Sequence, residues 1–276
     1  MRYVERKGAR VPALGFGTWQ LKGDECVDMV RFALDEVGYR HIDTAQAYEN
    51  EDEVGQAIAD SDADRDEVFL TTKVWMDRLE PDDMKRSAEE SLQRLKTDYV
   101  DLLLIHWPNP EVDLDASLRA LEELKSAGKA RHIGVSNFTV KLLKEAVEEH
   151  GADLLCNQVE YHPFMSQTPV LDYLRGADMM LTAYCPIAQG ETFGNPVLKR
   201  IGQTHDKNEA QVALRWLIEQ DGVAAIPRTS NKDHCRQNFE IFDFALSDGE
   251  IAEIDGLEKG ARLINPSWAP AWDTAA

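Results

Sequence analysis

The 276-residue chain contains no run of about 18 apolar residues, so no transmembrane helix is expected. Its opening stretch, Met1-Arg2-Tyr3-Val4-Glu5-Arg6-Lys7, lacks the apolar centre of a signal peptide, and a cytoplasmic protein is expected. Cysteine is scarce. Cys26, Cys156, Cys185 and Cys235 stand far apart with no C-x-x-C pair, which argues against a zinc ribbon or a disulfide framework. Basic residues are also in deficit: 30 Lys+Arg against 50 Asp+Glu give a formal net charge of −20. Nucleic acid and anionic membrane would both be repelled, so neither is expected as a partner. His41 and His162 sit in no H-x-H or H-E-x-x-H spacing, so they are read as structural and no metal is expected. Gly15-Phe16-Gly17 lacks the third glycine of a dinucleotide-binding fingerprint.

With 43% hydrophobic residues the chain can bury a sizeable core. Its acids recur in stretches such as Asp60–Glu67 and Glu145–Glu149. Such a surface suits a salty cytoplasm, where self-repulsion is screened, and a protein of that kind loses stability when salt is removed. No Pro/Gly/Ser linker or low-complexity segment divides the sequence, so one domain over residues 1–276 is expected, as a monomer.

Short apolar runs alternate with helical patterns along the whole chain. Strands are expected around Ala13–Gly15, Arg40–Asp43, Val68–Thr72, Val100–Ile105, His132–Val135, Cys156–Val159, Met180–Ala183 and Val223–Ile226. Several are apolar at consecutive positions, as parallel strands covered on both faces are. Between them, Val30, Ala33, Leu34 and Val37, and later Ala210, Ala213, Leu214, Leu217 and Ile218, repeat at helical spacing. Ser247-x-x-Glu250 reads as a capping box opening a late helix. Eight strands each followed by a helix in about 250 residues indicate an α/β fold of the (β/α)8 TIM-barrel type. A doubly wound sheet accommodates eight alternations less naturally.

Polar or special residues follow the apolar runs in phase: Gly17-Thr18, Asp43, Lys73, His106, Ser136-Asn137, Gln158, Tyr184 and Arg228. From Asp43 through Lys73 and His106 to Ser136 the steps are 30, 33 and 30 residues, one βα unit each. In a barrel these strand ends make the active-site face. Trp19, Trp75 and Trp107 also lie just beyond strand ends and are expected to wall a pocket that excludes water.

Asp43, Lys73, His106 and nearby Tyr48 have a definite chemical use. A free phenol, with a pKa near 10, is a poor proton donor at neutral pH. A neighbouring cation favours the phenolate, so Lys73 is expected to lower the Tyr48 pKa, with Asp43 holding the ammonium in place. His106 would orient a substrate carbonyl toward Tyr48. This constellation polarises a carbonyl without a metal and still needs a hydride donor.

Gly38-Tyr39-Arg40-His41-Ile42-Asp43-Thr44-Ala45, with Tyr48 in the following loop, resembles the first signature of the aldo-keto reductase family. Leu121 with Arg131-His132-Ile133-Gly134-Val135-Ser136-Asn137-Phe138 is similar to the second, and Ile226-Pro227-Arg228-Thr229 with Gln237-Asn238 to the third. The resemblance covers nearly the whole chain. It implies a catalytic tetrad of Asp43, Tyr48, Lys73 and His106, and a nicotinamide dinucleotide, usually NADPH with NADH possible. It further implies that Gly17, Thr18 and Trp19 approach the nicotinamide riboside, that Ser136, Asn137 and Gln158 hold the carboxamide, and that Tyr184 stacks under the ring. Arg228 and Thr229 would meet the 2′-phosphate and Asn238 the adenine. His234 stands where an arginine commonly helps bind that phosphate, which implies a narrower margin for NADPH. The short segment after His106, Trp107-Pro108-Asn109-Pro110, resembles the prokaryotic short-loop, 2,5-diketogluconate-reductase-like branch, which acts on small or sugar-derived carbonyls. Two other readings fit the barrel: a Schiff-base aldolase using Lys73, and a nicotinamide-nucleotide-sensing subunit without turnover.

Overall fold

The computed structural model describes residues 1–260 and 262–273. Ten strands occur among them: β1 (Tyr3–Arg6), β2 (Ala9–Pro12), β3 (Phe16–Gly17), β4 (His41–Asp43), β5 (Phe69–Val74), β6 (Val100–Ile105), β7 (Ala130–Ser136), β8 (Cys156–Glu160), β9 (Met180–Tyr184) and β10 (Val223–Ala225). Strands β3 to β10 run parallel in sequence order, each hydrogen-bonded to the next. The register sets Asp43 beside Thr71, Lys73 beside Leu104 and Ser136 beside Gln158. Leu14 bridges Ala225 and Gly17 bridges Arg228, joining the two edges into a barrel. β5, β6 and β8 are buried at every position, as the consecutive apolar runs imply.

The first strand lies later than expected. Ala13–Gly15 does not pair with β4, because the Gly15 amide donates to Ala225 O and the Ala225 amide to Ala13 O. That segment is the closing seam, and only Phe16–Gly17 pairs with β4.

The antiparallel hairpin β1–β2 is absent from the sequence-based expectation. Its strands are four residues long, and its turn, Lys7-Gly8, holds both residues at positive φ without an Asn-Gly or Asp-Gly signal. Arg6 pairs with Asp221 at 2.7 Å and Lys7 with Asp153 at 3.0 Å, both acids preceding barrel strands. The hairpin therefore lies across the N-terminal ends of the strands, and Val4 and Val11 join the core.

The helical faces are largely as the spacing predicts. Ala210, Ala213, Leu214, Leu217 and Ile218 are all buried on helix Glu209–Glu219. Val30, Ala33 and Leu34 are buried as well, but Val37 is not, because the helix ends in a wider π turn over Phe32–Val37. Ser247 and Glu250 form the full reciprocal cap of helix Asp248–Asp255. Ser247→Ala should lower stability by about 1 kcal/mol, seen as an earlier urea midpoint with an unchanged slope.

Candidate active site

Asp43 ends β4, Lys73 stands one residue short of the end of β5, and His106 follows β6 directly. The parallel strands end on one rim, so residues separated by 30 and 33 positions converge. Lys73 Nζ donates to Asp43 Oδ1 at 2.6 Å, to Thr44 O at 2.8 Å and to the Tyr48 hydroxyl at 3.3 Å. Asp43 Oδ2 accepts from Gln158 Nε2 at 2.7 Å, a contact that crosses the barrel. Lys73 has 0% exposure and Asp43 1%, so the ion pair is fully buried.

Tyr48 rides a short 3₁₀ turn, Gln46–Tyr48, whose position depends on Asn50. The buried Asn50 amide donates to Thr18 O and Leu21 O and accepts from Thr44 Oγ1, joining the loops that follow β3 and β4. The His106 ring stands edge to face with Tyr48, centroids 5.6 Å apart, and with Trp75 at 5.1 Å. Its buried Nδ1 has no partner among the described residues.

The electrostatics correct one expectation. The Tyr48 phenol is held well above its ordinary pKa, first by burial and then by the charge of Asp43. The Lys73 ammonium does not bring it below the ordinary value, because burial and the charge of Asp43, itself paired to Lys73 at 2.6 Å, outweigh it. Burial also lowers the Lys73 pKa, with Asp43 raising it in opposition. The three acceptors around Nζ match the three protons of an ammonium. That leaves no lone pair for Schiff-base formation and disfavours the aldolase reading. His106 is pushed well below the usual histidine pKa by burial and then by Lys73, so its ring is neutral.

Asp43, Tyr48 and His106 line a cavity of about 880 Å³, with Lys73 fully buried behind them. Gly17, Thr18, Trp19, Trp75, Trp107, Asn137, Gln158, Tyr184 and Arg228 face it too. A Cβ on Gly17 would come within 3.0 Å of Ile226 O, so a bare backbone fits there best. The Tyr184 hydroxyl donates to Asn137 Oδ1 at 2.7 Å, and Asn137 Nδ2 donates to His106 O at 3.0 Å. Ser136 is buried behind the cavity, its hydroxyl donating to Gln158 O at 2.8 Å. Thr229 and Asn238 are buried outside the cavity lining, Thr229 Oγ1 accepting from the Asn231 amide at 3.0 Å. Sequence reasoning missed Leu263, Ile264, Asn265 and Pro266 as cavity lining. The signal available was an apolar, tryptophan-bearing segment after the last helix of an otherwise acidic chain.

A parallel eight-stranded barrel with a buried Lys–Asp pair, a tyrosine and a neutral histidine at its C-terminal rim defines a site suited to carbonyl chemistry. The Aldo/keto reductase family model matches residues 13–259. The chain is 40% identical to methylglyoxal reductase DkgB of Salmonella typhi, over 95% of this chain and 99% of that protein. It is 41% identical to glyoxal reductase of Bacillus subtilis, over 93% and 92%. Among solved structures, a protein provisionally named 2,5-diketo-D-gluconic acid reductase B superposes with a TM-score of 0.96 at 46% identity, covering 99% and 98%. The aldose reductase of Schistosoma japonicum gives 0.92 at 28% identity, covering 98% and 99%. The chain belongs to the aldo/keto reductase family. Family and site together make it an oxidoreductase that reduces carbonyls to alcohols.

The depressed His106 pKa carries a stability consequence. The unfolded chain binds this proton near pH 6.5 and the folded one only at lower pH. The stability it contributes is therefore complete above pH 6.5 and is lost as pH falls through the folded value. His106→Gln should reduce the slope of stability against pH below 6.5 by up to about 1.4 kcal/mol per pH unit, measured by denaturant melts.

Proposed function

We propose that the protein reduces a small or sugar-derived aldehyde or ketone with NADPH as the preferred reductant, and that Tyr48 delivers the proton. The observation that carries this reading is the Tyr48 hydroxyl, which accepts from Lys73 Nζ at 3.3 Å and faces the cavity beside a neutral His106. When bound, a reduced nicotinamide dinucleotide supplies the hydride.

The cavity fits such a group on two observations. Gly17 presents backbone alone to the cavity. Tyr184 lines it with its hydroxyl tied back to Asn137, which leaves an apolar ring for stacking. Gly17, Thr18 and Trp19 would hold the riboside, and Ser136, Asn137 and Gln158 the carboxamide. At the other end Arg228 donates through Nε to Trp19 O at 2.9 Å, and no carboxylate among the described residues pairs with it. In a chain of net charge −20, a half-buried arginine without a carboxylate partner suits a phosphate, which supports NADPH over NADH.

The residues then divide the work. His106 donates one hydrogen bond to the carbonyl oxygen and orients it toward Tyr48. As negative charge develops on that oxygen, the Lys73 ammonium stabilises it through the Tyr48 hydroxyl. Tyr48 transfers its proton to the oxygen. A phenol held above pKa 10 remains a competent donor here, because an alkoxide is about as basic as hydroxide and so far more basic than a phenolate. Lys73 charge-stabilises the phenolate left behind. Trp19, Trp75 and Trp107 are assigned to the substrate pocket, with Trp107 buried and Trp19 at its solvent-exposed mouth. The relatives' names, methylglyoxal and glyoxal reductase, support a small dicarbonyl as substrate.

Tyr48→Phe should lower turnover by about 10²–10⁴-fold, with NADPH binding nearly unchanged, in an assay of carbonyl-dependent loss of nicotinamide absorbance. Near-normal turnover where chemistry limits the rate would remove Tyr48 from the role. Arg228→Ala should weaken NADPH far more than NADH when both dissociation constants are measured at one salt concentration. Equal losses would show that Arg228 does not read the 2′-phosphate.

A further inference from the structure

The mechanism leaves three buried acids without a task, and two of them, Glu51 and Asp101, pair with arginines. Glu160 ends β8 with 0% exposure, and no Lys or Arg pairs with its carboxylate among the described residues. Oε1 accepts from His162 Nε2 at 3.1 Å and from the Leu263 amide at 2.8 Å, and Oε2 accepts from the Ile264 amide at 2.8 Å. His162 is itself buried, and its Nδ1 accepts from the Phe164 amide, which leaves Nε2 as the donor to Glu160. Burying a carboxylate costs several kcal/mol unless hydrogen bonds replace its water. Here that replacement comes from one histidine and two backbone amides of the C-terminal segment.

The segment so held is the one that completes the cavity wall. Leu263, Ile264 and Trp268 line it, and the Trp268 ring stands 6.4 Å from Trp75, which stands 5.1 Å from His106. A carbonyl compound of two carbons, held at Tyr48 and His106, meets Trp75 first. A chain of six carbons extends far enough to meet the segment.

We infer that Glu160 is a positioning residue that sets substrate selection, by clasping the Leu263 and Ile264 amides and so fixing the Leu263–Trp268 wall of the cavity. The selection claim rests on the carbonyl-reductase reading; the clasp itself does not. Backbone amides that donate to a buried carboxylate form charge-assisted hydrogen bonds, stronger than neutral ones, so the barrel holds the wall in addition to the segment's own contacts, Arg262 over the Trp272 ring at 3.7 Å and Trp272 Nε1 donating to Asn265 Oδ1 at 2.9 Å. Trp272, which meets Trp107 at 5.9 Å, and Asp273, which accepts from the Val140 amide at 2.9 Å, anchor the chain farther along.

The test combines two measurements on the full chain. Hydrogen exchange read by NMR should find the Leu263 and Ile264 amides protected in the wild type. In Glu160→Gln they should exchange at least about tenfold faster, while amides of β5 and β6 keep their protection. With NADPH, Glu160→Gln should raise KM for a six-carbon dicarbonyl by about tenfold and leave KM and kcat for glyoxal within about twofold. His162→Phe, which removes one donor and keeps a ring in place, should move both readouts in the same direction and serves if Glu160→Gln does not fold. Unprotected amides in the wild type, or unchanged exchange in the variants, would overturn the clasp. An equal KM rise for both substrates would overturn selection and leave only a packing role. A wild type that oxidises NADPH with neither carbonyl overturns the reductase reading and the selection claim with it, while the exchange data still decide the clasp.

Discussion

A lysine with no exposed surface has to be neutralised where it stands, and the Lys73–Asp43 pair does this at 2.6 Å. Burying two charges costs several kcal/mol per ion, and their attraction offsets the cost only when the remaining donors and acceptors are satisfied. Lys73 meets this requirement through Thr44 O and the Tyr48 hydroxyl, and Asp43 through Gln158 from across the barrel. The satisfied pair fixes four side chains, its own two with Tyr48 and Gln158, and one loop relative to each other. It also places a full positive charge against a phenol facing a cavity, where it costs nothing to reorient during reaction.

The electrostatic character of the site follows from that arrangement. Because burial disfavours the phenolate and Asp43 offsets the ammonium, the Tyr48 phenol keeps its proton. The same ammonium, with burial, keeps His106 neutral and free to donate a hydrogen bond. One cation thus supports two neutral groups of different function. Its complete burial keeps water from screening it.

Much of this arrangement is legible in the sequence, because parallel strands impose a period. Asp43, Lys73 and His106 recur at one βα unit each, and a barrel returns every such position to the same rim. The capping box at Ser247 is legible for a similar reason, being local in the chain. What escapes sequence reading is long-range or dielectric. The hairpin β1–β2 is held by ion pairs to acids more than 140 residues away, and its Lys7-Gly8 turn carries no strong signal. Glu160 carries no signal in the sequence and His162 reads only as structural, until the fold brings the Leu263 and Ile264 amides to Glu160. The direction of the Tyr48 shift depends on burial weighed against a charge that Asp43 has already met, and spacing records neither.

The account turns on Tyr48 remaining a phenol in the free protein. The direct measurement is a spectrophotometric pH titration of tyrosine ionisation, taken as the difference between the wild type and Tyr48→Phe. The geometry predicts that the absorbance belonging to Tyr48 appears only above about pH 10, the ordinary tyrosine value. A difference signal that titrates near neutrality would contradict it, and would mean that Lys73 acts on the phenol as an uncompensated charge.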